Sequence, residues 1–437
     1  MQYVRSLILY IAIVILGLVS FYCGLSAWLD HGISKCYLRD PSAFNHMQGV
    51  DEKDKGDALL EQTLSQANLV LMGSSELSSP VDENPAHLFP NNLYETDVTM
   101  IGHAGVQNAI HAMTLGSANS ELFANKDVVM IESLQWYMDE DTDPGAFFSN
   151  FSELHFYEFL YNDKISPANK EYLCRRYIQM EQKNFADGYE VIGDHIVHDD
   201  PISKFVSGLF GVLKGSGYKM FEGSLTFPET YVLADLYVSD SIAGRGVYYI
   251  TRPYYWMRHK VLSLKDKYDA YLGMRQVSEH DEQRPISIDW NELYTRAMTE
   301  GEQACTNNDL FVYDDYYTTY LRDDFEEKRG MYDNTPLMES GEWDDLDFFL
   351  GVCKDLGIKP YIVAMSANGR YYDHVGFDKG ERDELYDRIA YISKQNGVDC
   401  LMIKDKEYEP YFYCDVMHLG WKGWPYVIEN IIDHFSE

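Results

Sequence analysis

Near the C-terminus, in Asp415-Val-Met-His418-Leu-Gly-Trp-Lys-Gly-Trp424, a carboxylate stands three residues before an imidazole. Where a chain approaches a closing helix, that spacing lets the carboxylate orient the ring as a general base. Such a pair needs a nucleophile. The best candidate lies about 340 residues upstream, in Asn68-Leu-Val-Leu-Met-Gly-Ser74-Ser75-Glu-Leu77. A short apolar run ending at Gly73 reads as a buried parallel strand meeting a loop. A serine where that strand turns sharply into a helix has an exposed hydroxyl, beside a helix N-terminus that favours developing negative charge. Serine also caps helices routinely, so Ser75 alone carries little weight. Ser74 reads as the cap or a supporting hydroxyl, and it stays open as an alternative nucleophile. Cys414, in an apolar Tyr-Phe-Tyr-Cys run, reads as a buried strand cysteine.

The elements around these residues repeat one form. Residues 97–102 and 127–132 are again short apolar runs, with a helical pattern at 107–123 between them. Three loops follow the three runs, at 73–76, 102–107 and 133–137. From about residue 340 the rhythm returns, with helix 343–356, strand 360–365, loop 366–373, helix 382–396, strand 398–403 and a closing helix over 426–435 with Pro425 in its first turn. Strand and helix in alternation predict a doubly wound α/β fold with a mostly parallel sheet. In such sheets the ligand site lies outside the carboxyl ends of the strands. The α/β domain is expected to comprise 67–145 and 335–437, interrupted by a mainly helical insertion at 146–334. That insertion holds helical stretches at 152–160, 169–183, 266–278 and 291–305 and a glycine-rich region at 208–223, with no chemical motif.

Composition narrows the class. With 36 Lys and Arg against 70 Asp and Glu, the formal charge of −34 repels polyanions and argues against nucleic acid as a partner. The 35 tyrosines suit ordinary packing, and also sugar or glycerol surfaces. Residues 7–29 carry no formal charge, and about 20 apolar residues suffice to cross a bilayer. Residues 1–30 are therefore read as a short tip and an uncleaved transmembrane anchor, with 31–66 as a polar stalk whose charged run 51–57 is solvated. Arg5 before the span and Lys35 and Arg39 after it leave the charge rule nearly mute on orientation. The seven cysteines form neither a disulfide framework nor a metal-ligand spacing, so no metal is expected.

An N-terminal strand-end Ser, two strand-end loops with Gly and an amide, and a C-terminal Asp-x-x-His before the last helix together resemble the order of SGNH-type (GDSL-like) hydrolases, although Gly-Ser-Ser-Glu stands where that family has Gly-Asp-Ser. The resemblance implies Ser75 as nucleophile, His418 as base and Asp415 as its orienter. It also places the Gly105 N–H and the Gln135 side chain as oxyanion donors, Gln135 substituting for the usual Asn. Over essentially the whole chain, Gly-Ser-Ser-Glu-Leu, Ser-Leu-Gln-Trp-Tyr, the 342–360 segment, Asn-Gly-Arg-Tyr-Tyr-Asp and His-Leu-Gly-Trp-Lys-Gly-Trp resemble the DltD family of D-alanyl-lipoteichoic acid biosynthesis proteins.

That resemblance implies a single-pass protein of a Gram-positive cell membrane, with its N-terminus inside and its large domain extracellular. It would transfer D-alanine to teichoic acid hydroxyls through a Ser75 ester, without a cofactor. The implied partners are a multi-pass membrane O-acyltransferase, a D-alanyl carrier protein and the lipoteichoic acid acceptor. Two rival readings use the same residues. One is a thioesterase or esterase that removes D-alanine from a carrier; the other is a non-catalytic docking subunit for the membrane acyltransferase.

Overall fold

The computed structural model describes residues 2–47, 51–95, 97–139, 141–186, 229–277, 285–333 and 337–436. Among them, β1 (Leu69–Met72), β2 (Val98–Ile101), β3 (Asp127–Ser133), β4 (Tyr361–Met365) and β5 (Cys400–Met402) form a sheet in the order β2-β1-β3-β4-β5. Every pairing is parallel, with Leu69 opposite both Val98 and Asp127 and Ser133 opposite Met365. The expected α/β fold with a parallel sheet is therefore the fold observed. Because β2 and β3 flank β1 on opposite sides, the strand order reverses there, and a crevice opens at the carboxyl ends of β1 and β3.

Strand side chains alternate between the two faces of a sheet, and here that alternation sorts the apolar runs into two cores. Val70, Met72, Val128, Met130, Ile362 and Ala364 face one core, and Leu69, Leu71, Val129, Ile131, Val363 and Met365 face the other. The helices used below are α1 (Gln2–Tyr37), α2 (Asp57–Gln66), α3 (Asn108–Ser117), α4 (Glu153–Tyr161), α5 (Pro167–Ala186), α6 (Glu229–Tyr237), α7 (Ile242–Met274), α8 (Trp290–Ala304), α9 (Glu342–Leu356), α10 (Lys379–Gln395) and α11 (Gly423–Ser436). The first core is closed by residues of α2, α3, α4, α5, α9 and α10, and the second by α8 and α11. Helix α11 alone buries Trp424, Val427, Ile428, Ile431 and Ile432, each stabilising by roughly 1.5–3 kcal/mol.

The region read as an insertion shares these two cores. Phe156, Phe159, Leu173 and Tyr177 belong to the first, and Leu293 and Ala297 to the second. The helix expected at 266–278 is the end of the 33-residue α7, which runs through Gly244, Gly246 and Pro253. Gly244, Val247, Thr251, Tyr255 and His259 are buried on its inner face, and this packing overrides the breakers. The glycine-rich region at 208–223 lies outside the described residues.

Two expectations for the N-terminal region are corrected. Helix α1 is long and apolar enough to cross a bilayer, but it does not hand over to a stalk. Leu29, Ile33 and Tyr37 near its end are buried, the latter two with Phe44, Leu59, Ala270 and Met274, and Leu60 and Leu64 of α2 enter the sheet's first core. Within the charged run, Lys53, Asp54 and Asp57 are buried rather than solvated, because their polar groups have fixed partners. Lys53 Nζ donates to the carbonyls of Asn45 (3.1 Å) and Met47, and Asp54 Oδ2 is 2.9 Å from His103 Nδ1. Burial lowers the Lys53 pKa to about 8 against the pull of Asp54.

At the other end, Gly420 allows the backbone to lie close against the preceding loop. A Cβ on Gly420 would sit 2.6 Å from Cys414 N and from Tyr413 C, and Gly420 N donates to Phe412 O (2.8 Å). Gly420→Ala is expected to destabilise the protein by about 1–3 kcal/mol through this backbone overlap, measured as a shift in the denaturation midpoint. An unchanged midpoint would mean that the loop can give way.

Candidate active site

Strand β1 ends at Met72. Gly73 N continues the pairing to Ile101 O (3.2 Å), and the chain then enters a single 3-10 turn at Ser75–Ser78. This sharp turn brings Ser75 Oγ to 2.8 Å from His418 Nε2. His418 Nδ1 lies 2.6 Å from Asp415 Oδ2. The Oδ1 of the same carboxylate accepts the backbone N–H groups of Met417 and His418, each at 2.8 Å. Asp415 thus folds its own loop and holds the imidazole at once. With the carboxylate at Nδ1, the proton is assigned to that nitrogen, which leaves Nε2 to accept from the Ser75 hydroxyl.

The Asp415–His418 loop is clamped from three sides. Cys414 N donates to His418 O (3.0 Å), and Asn368 N, in the loop after β4, donates to Val416 O (3.0 Å). Ser79 Oγ, just past the 3-10 turn, donates to Leu419 O (2.6 Å). Ser75, His418 and Asp415 are therefore tied to the same sheet edge by bonds to the backbone as well as by their own side chains.

Ser74 has a different role from Ser75. Its Oγ donates to His103 O (3.2 Å) and accepts the Gly105 N–H (3.1 Å), which joins the loops after β1 and β2. Gly102 allows those loops to meet. Its φ is +113°, and a Cβ there would fall 2.0 Å from Gly73 O. Of the two expected oxyanion donors, Gly105 N–H is held by Ser74, and Gln135 Nε2 donates to Tyr372 OH (3.1 Å). Ser74, Ser75, Gly105, Gln135 and His418 nevertheless line one cleft of about 200 Å³, with Gln107, Trp136 and Thr142 among its other walls.

Two contributors escaped the sequence reading. Glu76 is buried, and its Oε1 accepts the Ser74 N–H (2.6 Å). Burial raises its pKa, with the Ser74 N–H and His418 opposing. The neighbouring Gly-Ser-Ser motif gave no sign that this carboxyl turns inward. Tyr372, which holds Gln135, lies in a short helix, Gly369–His374, within the segment 366–373 that the sequence read as a loop and assigned no function.

For His418, burial works to lower the pKa, but the hydrogen bond and charge of Asp415, with Glu76 adding, hold it above the ordinary imidazole value. Since Nε2 must be unprotonated to act as a base, reactivity should rise with pH through a midpoint above about 6.5. The rate at which a fluorophosphonate labels Ser75 measures this directly. Asp415→Asn should move the midpoint down and slow labelling by orders of magnitude. A profile centred below the ordinary imidazole value would contradict this electrostatic picture.

Comparison with known proteins agrees with this arrangement in extent. The chain is 26% identical over 373 residues to Protein DltD of Bacillus subtilis (strain 168), covering 84% of this chain and 82% of that one. It is 24% identical over 401 residues to Protein DltD of Staphylococcus aureus (strain NCTC 8325 / PS 47), covering 90% and 87%. With Protein DltD of Lacticaseibacillus rhamnosus the identity is 19% over 378 residues, covering 85% and 78%. The family model described as DltD protein matches residues 48–222 and 224–436. A match that takes in Ser75, the whole described sheet and the Asp415–His418 loop means that the chain belongs to the DltD family.

Proposed function

We propose that this protein is a membrane-anchored acyltransferase that accepts D-alanine on Ser75 as an ester and passes it to hydroxyls of teichoic acid on the outer side of the membrane. The observation that carries the proposal is the continuous line Ser75 Oγ, His418 Nε2, His418 Nδ1, Asp415 Oδ2, with separations of 2.8 and 2.6 Å. Membership of a family involved in teichoic acid D-alanylation supplies the setting.

His418 takes the Ser75 proton as Oγ attacks the carbonyl of the activated D-alanyl donor. The tetrahedral oxyanion collapses, and the leaving group departs with the proton from His418. An acceptor hydroxyl then attacks the Ser75 ester, again with His418 as base, and Ser75 regains its proton on release. Gly105 N–H and Gln135 Nε2 serve as oxyanion donors by exchanging Ser74 Oγ and Tyr372 OH for the substrate oxygen. Donors of this kind are worth about 3 kcal/mol each. The cleft of about 200 Å³ suits a small aminoacyl group with the polymer entering from outside. The donor reaches it by way of a multi-pass membrane O-acyltransferase and a cytoplasmic D-alanyl carrier protein, and α1 keeps the domain beside that partner with its N-terminus inside the cell.

In cells lacking the native protein, Ser75→Ala should give no D-alanyl ester on the polymer, whereas Ser74→Ala should keep part of the activity. Undiminished D-alanylation by Ser75→Ala would overturn the covalent mechanism. Free D-alanine from the wild-type protein and a purified donor system, without polymer ester, would replace the transferase by a hydrolase.

A further inference from the structure

Helix α7 has a composition unlike the rest of the chain. Residues 242–265 contain five Lys or Arg and no Asp or Glu, in a protein with 70 acidic and 36 basic residues. Its inner face, including Val247, Thr251, Tyr255 and His259, is buried. Its outer face carries Tyr249, Ile250, Trp256, Met257, Val261 and Tyr268, which are 52–74% exposed. Between them, Arg245, Arg252 and Lys265 are exposed and Lys260 is half-buried, with Lys260 Nζ 6.0 Å from the Trp256 ring. Tyr248 meets Tyr249 edge to face at 5.5 Å, and Lys265 Nζ is 2.8 Å from Asp269 Oδ2. In water, an apolar and aromatic face of this extent with a cationic fringe is a liability; at a headgroup layer it is an anchor.

The stripe also runs into the place where α1 leaves the folded domain. Lys267 Nζ is 2.8 Å from Asp30 Oδ1 and 2.9 Å from Ser26 Oγ. Trp28 meets Tyr271 edge to face at 5.2 Å. N-terminal to these contacts α1 is exposed through Phe21, and C-terminal to them it is buried at Leu29 and Ile33. The level of residues 22–29 is therefore where the domain reaches the lipid that α1 spans. Tyr268 on α7 stands at that level, and because Lys267 meets Ser26 and Asp30 while Tyr271 meets Trp28, the two helices run in the same direction, so the exposed residues of α7 before Tyr268 lie toward the side on which α1 enters the lipid.

We propose that the outer face of α7 lies on the bilayer surface beside the exit of α1 and binds anionic phospholipid headgroups, fixing the domain's tilt on the membrane. The aromatic and aliphatic side chains enter the interface, and Arg245, Arg252 and Lys260 meet the phosphates. The remainder of the chain is strongly acidic and is repelled by the same surface, so the contact is confined to α7 and orients the domain.

The test uses the full-length protein with Cys23→Ser and Cys400→Ser, spin-labelled at Met257→Cys or Val261→Cys, and at Tyr391→Cys as an exposed control on α10. In vesicles of mixed phosphatidylglycerol and phosphatidylcholine, labels at 257 and 261 should collide with oxygen more than with a nickel chelate, and the label at 391 should show the reverse. Arg252→Glu with Lys260→Glu should raise nickel access at 257 severalfold while the melting temperature stays that of the parent. The proposal fails if position 257 is as open to nickel as position 391 in the inserted protein. It fails equally if 257 is shielded to the same degree in lipid-free amphipol, which would mean cover by the chain itself. Shielding that appears only on adding the multi-pass acyltransferase would replace the lipid surface by a protein partner.

Discussion

The hydrogen bond between Ser75 and His418 joins residues 343 positions apart, and the architecture can be understood as what makes that one distance reproducible. Ser75 depends on an interior strand of the sheet, and His418 on a loop that follows the last strand. For the two to meet, the chain must lay down β1, β2 and β3, pass through the central helices, and return to add β4 and β5 on the side of β3. The four parallel pairings and the two cores supply the rigidity, and the hydrogen bonds from Ser79 Oγ and Asn368 N transmit it to the Asp415–Leu419 loop. An error of one register position at β4 would turn its side chains to the wrong core.

The acidity of the chain has a structural answer in part. Several carboxyls are buried and hold their protons more firmly than exposed ones. Burial, with a hydrogen bond to Asp57 adding, pushes Glu158 up to about 11; burial raises Glu132 to about 7, with the Tyr137 hydroxyl and Asn108 amide opposing; and burial, with the charge of Asp57 at the start of α2 adding, raises Asp266 to about 7. The formal charge of −34 therefore overstates what the surface displays at neutral pH. Asp266 shows what such a group does in place: its Oδ2 accepts Ala58 N (2.9 Å) and Asp57 N (3.2 Å), capping α2 from the side of α7. This polar link ties α7 to α2.

Much of the fold was legible because its signals are local. The strands are short apolar runs, and the start of α10 is marked by Asp378 and Glu381, which form a reciprocal capping box. Signals that depend on a distant partner were not legible. Lys53 and Asp54 read as solvated charges until Asn45, Met47 and His103 are placed around them. Helix α7 reads as broken at Gly244, Gly246 and Pro253 until its inner face is packed. Gly105 and Gln135 were identifiable as groups at the strand ends, but not their attachment to Ser74 and Tyr372.

The parallel α/β alternation, the apolar helix able to cross a bilayer, and the short list of candidate nucleophile, base and orienter are readable from the residues alone, because strand runs, spans and motif residues are properties of contiguous segments. Which of two adjacent serines faces His418, what holds each N–H donor in the cleft, and the position of the cationic, apolar face of α7 beside the exit of α1 emerge only when the chain is packed. Those outcomes depend on side-chain direction and on contacts between residues far apart in the chain, which the spacing of residues does not encode.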